Sequence, residues 1–337
     1  MSLNIPDTQD LITEQGYFER PAEYTAALEK AQAAFQAQLD DTEGWTSAGT
    51  REECDIFTKS EDATGVPVVK GTALIENVTP EEVIAAIQLP GMRRKWDVRF
   101  DGGFNIKRFS YTSYQFYSIA KTPSMFVWAR DIGGVQDNIL SENGDELRII
   151  QTTVEDEENL PDAGSYALSR TRATLDYAGW QVKKQGDDVI ATYIVKVHLN
   201  GNIPTSVAAI VATETPLCVA KVRDVIYTTG FAPYQVTRDA ENKLREFKVI
   251  NLTQEFEDGD GTEATAGERK WTSYFMSKGE EEFEVAYDGQ RMYPDGVEAT
   301  VDGDAATVTV DEAASRVKVS IAAGSEGKRF SVSIAPK

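Results

Sequence analysis

The chain reads as α+β, a curved antiparallel sheet wrapped around a long C-terminal helix and followed by a small all-β, sandwich-like domain. Three features predict this. Helical stretches near the N-terminus and from Pro204 bracket a long run of alternating segments. A polar, glycine-containing segment, EDGDGTEATAGE, then interrupts the pattern. Beyond it only short alternating runs follow, separated by Gly and Asp turns. The expected boundaries are an N-terminal tail over 1–20, a main domain over 21–236, a linker over 237–268 and the β domain over 269–337.

In chain order, PAEYTAALEKAQAAFQAQLDD sets Tyr24, Leu28, Ala31, Phe35 and Leu39 at three- and four-residue steps. That spacing predicts an amphipathic helix, with Pro21 at its first position. CDIFTK and VVKGTALIEN read as strands. Thr79 as N-cap, Pro80, and acidic Glu81 and Glu82 in the first turn predict a helix over 80–89. Five alternating segments follow: FNIKRFSYTSYQFYSIA, RDIGGVQDNIL, ELRIIQTTV, SRTRATLDYAGWQV and DVIATYIVKVHL. From Pro204, Val207, Ile210, Val211, Leu217, Val219, Val222 and Ile226 form a broad apolar helical stripe. Pro216 should kink or interrupt it.

The 337 residues are 41% hydrophobic and 26% charged, with a net charge of −21 from 55 acidic and 34 basic residues. A surface so acidic repels nucleic acid and anionic lipid, so no nucleic-acid partner is expected and any membrane contact should be transient. Two cysteines and one histidine exclude a thiolate or histidine-rich metal site, and no cofactor is expected. The absence of a long uncharged apolar run and of a leader-like N-terminus makes the cytoplasm the expected location.

Three segments in register resemble the START family of steroidogenic-acute-regulatory-related lipid-transfer domains. They are RKWD at Arg94 to Asp97, ARDI at Ala129 to Ile132, and VHLNGNIPTSV from Val197 to Val207. The resemblance covers roughly 20 to 235. It implies a helix-grip fold with a tunnel holding one lipid between the sheet and the C-terminal helix. It also implies a gating omega-type loop at Thr152 to Arg170, which should move relative to the helix from Pro204.

The resemblance further implies ligand-binding positions. Arg93 and Asp97 match an arginine and an aspartate that meet lipid phosphate in phosphatidylcholine-type members. A plain ion pair at helical spacing is the alternative. Trp96 is core or cavity wall. Arg130 and Asp131 read as a mainly structural pair, with Arg130 kept among the candidates. Tyr117 and Gln136 stand near the places where sterol-binding members carry a carboxylate and an arginine, and could bond a hydroxyl or carbonyl. Ile132 replaces one aromatic of a choline cage and Tyr177 lies near another. Lys121 to Trp128 is buried strand or a membrane-touching tip, and His198 is structural. The expected function is non-enzymatic binding and intermembrane transfer of one lipid, phospholipid or sterol. The rivals are a helix-grip cyclase or hydrolase, and a lipid-regulated adaptor whose C-terminal domain binds a protein partner. No nucleophile elbow, Cys/His pair or phosphate-cradling loop supports catalysis.

Overall fold

The computed structural model describes residues 10–61, 66–121, 127–156, 158–160, 170–201, 203–259 and 268–337. Its first elements are α1 (Ala22–Asp40), β1 (Thr46–Arg51), β2 (Cys54–Lys59), β3 (Val68–Ile75), α2 (Pro80–Gln88) and α3 (Pro90–Trp96). Then come β4 (Phe100–Arg108), β5 (Ser113–Ala120), β6 (Ala129–Leu140), β7 (Glu146–Thr153), β8 (Arg170–Arg172), β9 (Thr174–Gln185) and β10 (Asp188–His198). The helices α4 (Thr205–Glu214) and α5 (Cys218–Thr228) follow. The last strands are β11 (Tyr234–Gln235), β12 (Val249–Asp258), β13 (Arg269–Ser277), β14 (Glu281–Ala286), β15 (Val297–Asp302), β16 (Ala306–Asp311), β17 (Arg316–Ile321) and β18 (Arg329–Pro336).

By internal packing the described chain divides into two units. One comprises Glu19–Pro80 and Asp97–Arg223; the other comprises the described part of Met1–Phe18, with Glu81–Trp96 and Asp224–Lys337.

In the first unit, one sheet runs in the order β1-β2-β3-β10-β9-β7-β6-β5-β4, and β8 pairs in parallel with β6. Its other pairings are antiparallel, the pattern that hairpin-linked alternating segments favour. The two faces are covered differently. On one, Tyr24, Leu28, Ala31 and Phe35 of α1 pack with Val68, Val135, Ile150, Tyr177 and Ile194. On the other, Val69, Leu175, Ala178 and Val195 form a cluster joined by Ile132, Tyr193, Val197 and Ala212 of α4. Pro216 breaks the C-terminal helical stretch into α4 and α5, bent by 43°. The break is pressed onto β3, since a Cβ on Gly71 would stand 2.1 Å from the Pro216 carbonyl oxygen. Cys54 Sγ approaches the same oxygen at 3.6 Å. This is the helix-grip arrangement, sheet plus C-terminal helix, that the strand and helix order predicts.

In the second unit, sheets β11-β14-β17-β16 and β12-β13-β18-β15 face each other. Phe275 of the second sheet meets Phe283 of the first with ring centroids 5.3 Å apart. Three expectations need correction here. The segment expected as linker contains β12, a full sheet partner of β13, because VINLTQEF buries Val249, Ile250, Leu252 and Phe256. The tail over 1–20 is packed in part: Ile12 joins Ile250, Leu252 and Met276. The helices α2 and α3, expected within the main domain, group with the β domain, where Lys95 forms an ion pair with Asp258 on β12. Smaller differences concern ends and breaks. Pro21 is the N-cap of α1, not its first helical residue. FNIKRFSYTSYQFYSIA is two strands, because Phe109 to Thr112 turn the chain back on itself.

Among the described residues no single helix is long and apolar enough to cross a membrane. The bent pair α4 and α5 would pass together by length and composition, but Val219, Ala220, Val222 and Ile226 are fully buried.

Candidate functional site

Strand register assigns each side chain to a face, because neighbouring residues on a strand point to opposite sides. On β6, Asp131, Gly133, Val135 and Asp137 lie on the α1 side, as Val135 in the α1 cluster shows. Ile132, Gly134, Gln136 and Asn138 lie on the α4 side, as Ile132 beside Ala212 shows. From Gln136 a straight row crosses the sheet on that side: Arg108, Tyr114, Gln136, Gln151, Ala178, Val195 and Val69, each paired with the next.

This row is polar at one end and apolar at the other. Ala178, Val195 and Val69 belong to the cluster under α4. Gln136, 3% exposed, accepts a bond from Gln151 Nε2 at 2.6 Å and donates from its Nε2 to Asn138 Oδ1 at 2.8 Å. Amides bonded in this way are held in one orientation by one another. Around them the same face carries Phe116, Ile149 and Trp180, the last stacked on Tyr193 at 4.5 Å.

The residues singled out in the sequence are only partly brought together. Gln136 is in the row. Tyr117 is not: it pairs with Gly133 and so faces the α1 side, where its hydroxyl donates to Asp131 Oδ2 at 2.5 Å. Burial first, and then Asp131, push that phenol up to about 12. Tyr117 and Gln136 therefore stand on opposite faces and cannot bond one hydroxyl together. Tyr177 also lies on the α1 side, 3% exposed and packed with Tyr24 and Phe35, and burial raises its hydroxyl far above the ordinary value.

Arg130 is 6% exposed and donates to the backbone carbonyls of Trp128, Leu199 and Asn200, the last two at 3.0 and 2.9 Å. Desolvation lowers its pKa. Asn200 and Gly201, with φ of 52° and 71°, turn the chain from β10 toward α4, a backbone shape that suits Asn-Gly. The ARDI and VHLNGNIP segments are thus one structural device, with the arginine of the first pinning the turn of the second. Asp131, 1% exposed, also accepts from Arg172 Nε at 2.9 Å. His198 Nε2 lies 3.0 Å from Asp176 Oδ2.

Trp96 is core: its indole donates to the Ala86 carbonyl at 3.1 Å, and the Arg93 guanidinium lies 5.7 Å from its ring. Helix α3 ends at Trp96, so the four-residue helical spacing from Arg93 does not extend to Asp97. Asp97 instead accepts the Arg99 N–H at 3.2 Å and starts the turn into β4. The 152–170 loop is tied down where it is described. Asp156 accepts from Tyr24 at 2.8 Å, from Gln115 at 2.7 Å and from Asn159, all on the α1 side. Residues 157 and 161–169 of that loop, and 122–126 of the stretch expected as buried strand or membrane-touching tip, lie outside the described residues. No group of three or more His, Cys, Asp or Glu suited to a metal occurs among the described residues.

Sequence reasoning missed Arg108, Tyr114 and Gln151. Alternation alone did not single them out, because β5 and β6 carry polar residues on both faces, Gln115 and Asp137 on the α1 side as well as Tyr114 and Gln136 on the other. No family model matches the chain, and no curated protein does. Solved structures do. Human STARD10 is 16% identical with a TM-score of 0.51, the match covering 63% of this chain and 82% of that one. Human StAR-related lipid transfer protein 5 is 18% identical with a TM-score of 0.52, covering 60% and 97%. At such identities the likeness establishes the fold, and the chain has the helix-grip fold of StAR-related lipid-transfer domains.

Proposed function

We propose that the chain binds one lipid against the α4-facing side of the sheet and carries it between membranes without catalysing a reaction. The observation that carries this reading is the cross-strand row, apolar under α4 and polar at Tyr114, Gln136 and Gln151. Such a surface suits a long apolar molecule with one polar end. Burial of the apolar part at roughly 25 cal/mol per Å2 supplies the affinity, and the amides select the head. The fold shared with human StAR-related lipid transfer protein 5 supports the same reading.

The buried carboxylate of β6, Asp131, is not on this face. Asp131 lies on the α1 side and holds Tyr117 and Arg172. Native mass spectrometry of the purified protein, with extraction and identification of what is bound, tests the reading. One lipid per chain is expected. A protein that arrives empty and takes up nothing from vesicles would overturn it.

A further inference from the structure

The polar end of the row closes on a charge. Arg108, at the end of β4, pairs with Tyr114, which pairs with Gln136. With strands about 4.8 Å apart, its backbone stands roughly 10 Å from that of Gln136 along the row. The facing is fixed independently by the next residue: Phe109 packs edge-on against Tyr24 of α1, ring centroids 6.1 Å apart, so Arg108 points to the other side.

The side chain is 7% exposed. Its Nη1 donates to the Tyr111 carbonyl at 3.2 Å, its Cζ stands 5.2 Å from the Tyr114 ring, and its Nε is buried with no partner. Among the described residues no carboxylate pairs with it. A guanidinium stays charged at any pH a protein survives, and burying one without a counter-charge is costly. An anion that pairs with it offsets that cost, and a planar fork with an unused N–H is shaped for two oxygens of one anion.

We propose that Arg108 receives a negatively charged oxygen group, a carboxylate or a phosphate, on the polar end of the bound molecule. This rests on the lipid-binding reading and narrows it. The ligand is an anionic amphiphile, gripped by the guanidinium and flanked by Tyr114 and the Gln136–Gln151 amides. Neutral sterols lack the group that Arg108 would meet.

The test uses the full chain, stripped of co-purifying lipid and titrated by native mass spectrometry with four probes. These are oleate, its uncharged methyl ester, oleoyl lysophosphatidate and inorganic phosphate. The wild type should bind oleate or the lysophosphatidate at least roughly tenfold more tightly than methyl oleate, a difference of about 1.4 kcal/mol. Arg108→Gln should erase that preference, with oleate falling to the affinity of its methyl ester, while far-ultraviolet circular dichroism and the urea midpoint show that the variant folds. Arg108→Lys should keep part of the preference. Inorganic phosphate that displaces oleate from the wild type but not from Arg108→Gln would support the anion site and make the free ion a sufficient source. Equal affinity of oleate and methyl oleate in the wild type, or a preference that survives in Arg108→Gln, overturns the assignment and leaves lipid binding standing. A chain that takes up none of the probes loses the lipid-binding reading, and this assignment falls with it.

Discussion

At Asp131, a hydroxyl and a guanidinium converge on a carboxylate that is 1% exposed. Removing it takes the carboxylate from both the Arg172 guanidinium and the Tyr117 hydroxyl. Taking one member from a buried charged pair typically costs about 3 to 5 kcal/mol. Asp131→Ala should therefore lose stability in that range, read from the urea midpoint, with ligand uptake by surviving folded protein unchanged because the site is on the other face. Gln136→Leu should reach the ligand as well. It keeps the volume but takes a partner from Gln151 and Asn138, so stability should fall by about 1 to 3 kcal/mol, and affinity for a polar-headed ligand should fall by roughly tenfold, measured by direct titration. The contrast shows what a sequence can say about single residues. Gln136 and Tyr117 were both legible as polar groups in the sheet. Their faces were not, because a strand assigns its sides only once the register is fixed, and β4 carries a register shift between Asn105 and Lys107. Arg108 lies just beyond that irregularity, where counting by twos from the start of the strand fails.

Among the elements, those with strong periodicity were legible: α1 from its apolar steps, the sheet from its alternation, and the C-terminal helices from their stripe and Pro216. The helix α3 was not, because PGMRRKW is too short and too charged to show a period. Its place is set by packing, through buried Met92 and Trp96 and the Lys95 ion pair to Asp258. Close approach at the α4–α5 break is the contact most exposed to a single change. Gly71→Ala would set a methyl 2.1 Å from the Pro216 carbonyl, and backbone must move to relieve it. Overpacking of this kind costs about 1 to 3 kcal/mol, so a lower urea midpoint and weaker ligand retention are expected together. The 152–170 loop has its own anchor in Asp156. Burial pushes its pKa up, but the bonds from Gln115, Tyr24 and Asn159 outweigh burial and hold the carboxyl below the ordinary value. A depressed folded pKa gives stability that is present above the unfolded value, near 4, and lost as pH falls through the folded one. The stability gap between wild type and Asp156→Asn should therefore be full at neutral pH and shrink below about pH 4, as thermal unfolding across pH would record.

For the whole molecule the governing quantity is a net charge of −21. Its field opposes approach to anionic membranes, and it also opposes entry of the anionic ligand that Arg108 is assigned to hold. The two effects differ in range. Surface repulsion acts through solvent and is screened beyond about 8 Å at physiological salt, whereas a buried guanidinium acts at contact, where salt does not reach. Transfer of a bound fluorescent fatty acid should therefore be faster to zwitterionic vesicles than to vesicles containing anionic phospholipid. Raising the salt from low to physiological should narrow that difference. The equilibrium preference for oleate over methyl oleate should persist over the same range of salt. If salt abolished that preference while leaving the transfer rates alone, the selectivity would belong to the surface and the guanidinium would be an internal strut. If it narrows the rate difference and spares the preference, the acidic exterior governs where the protein unloads and the interior charge governs what it carries.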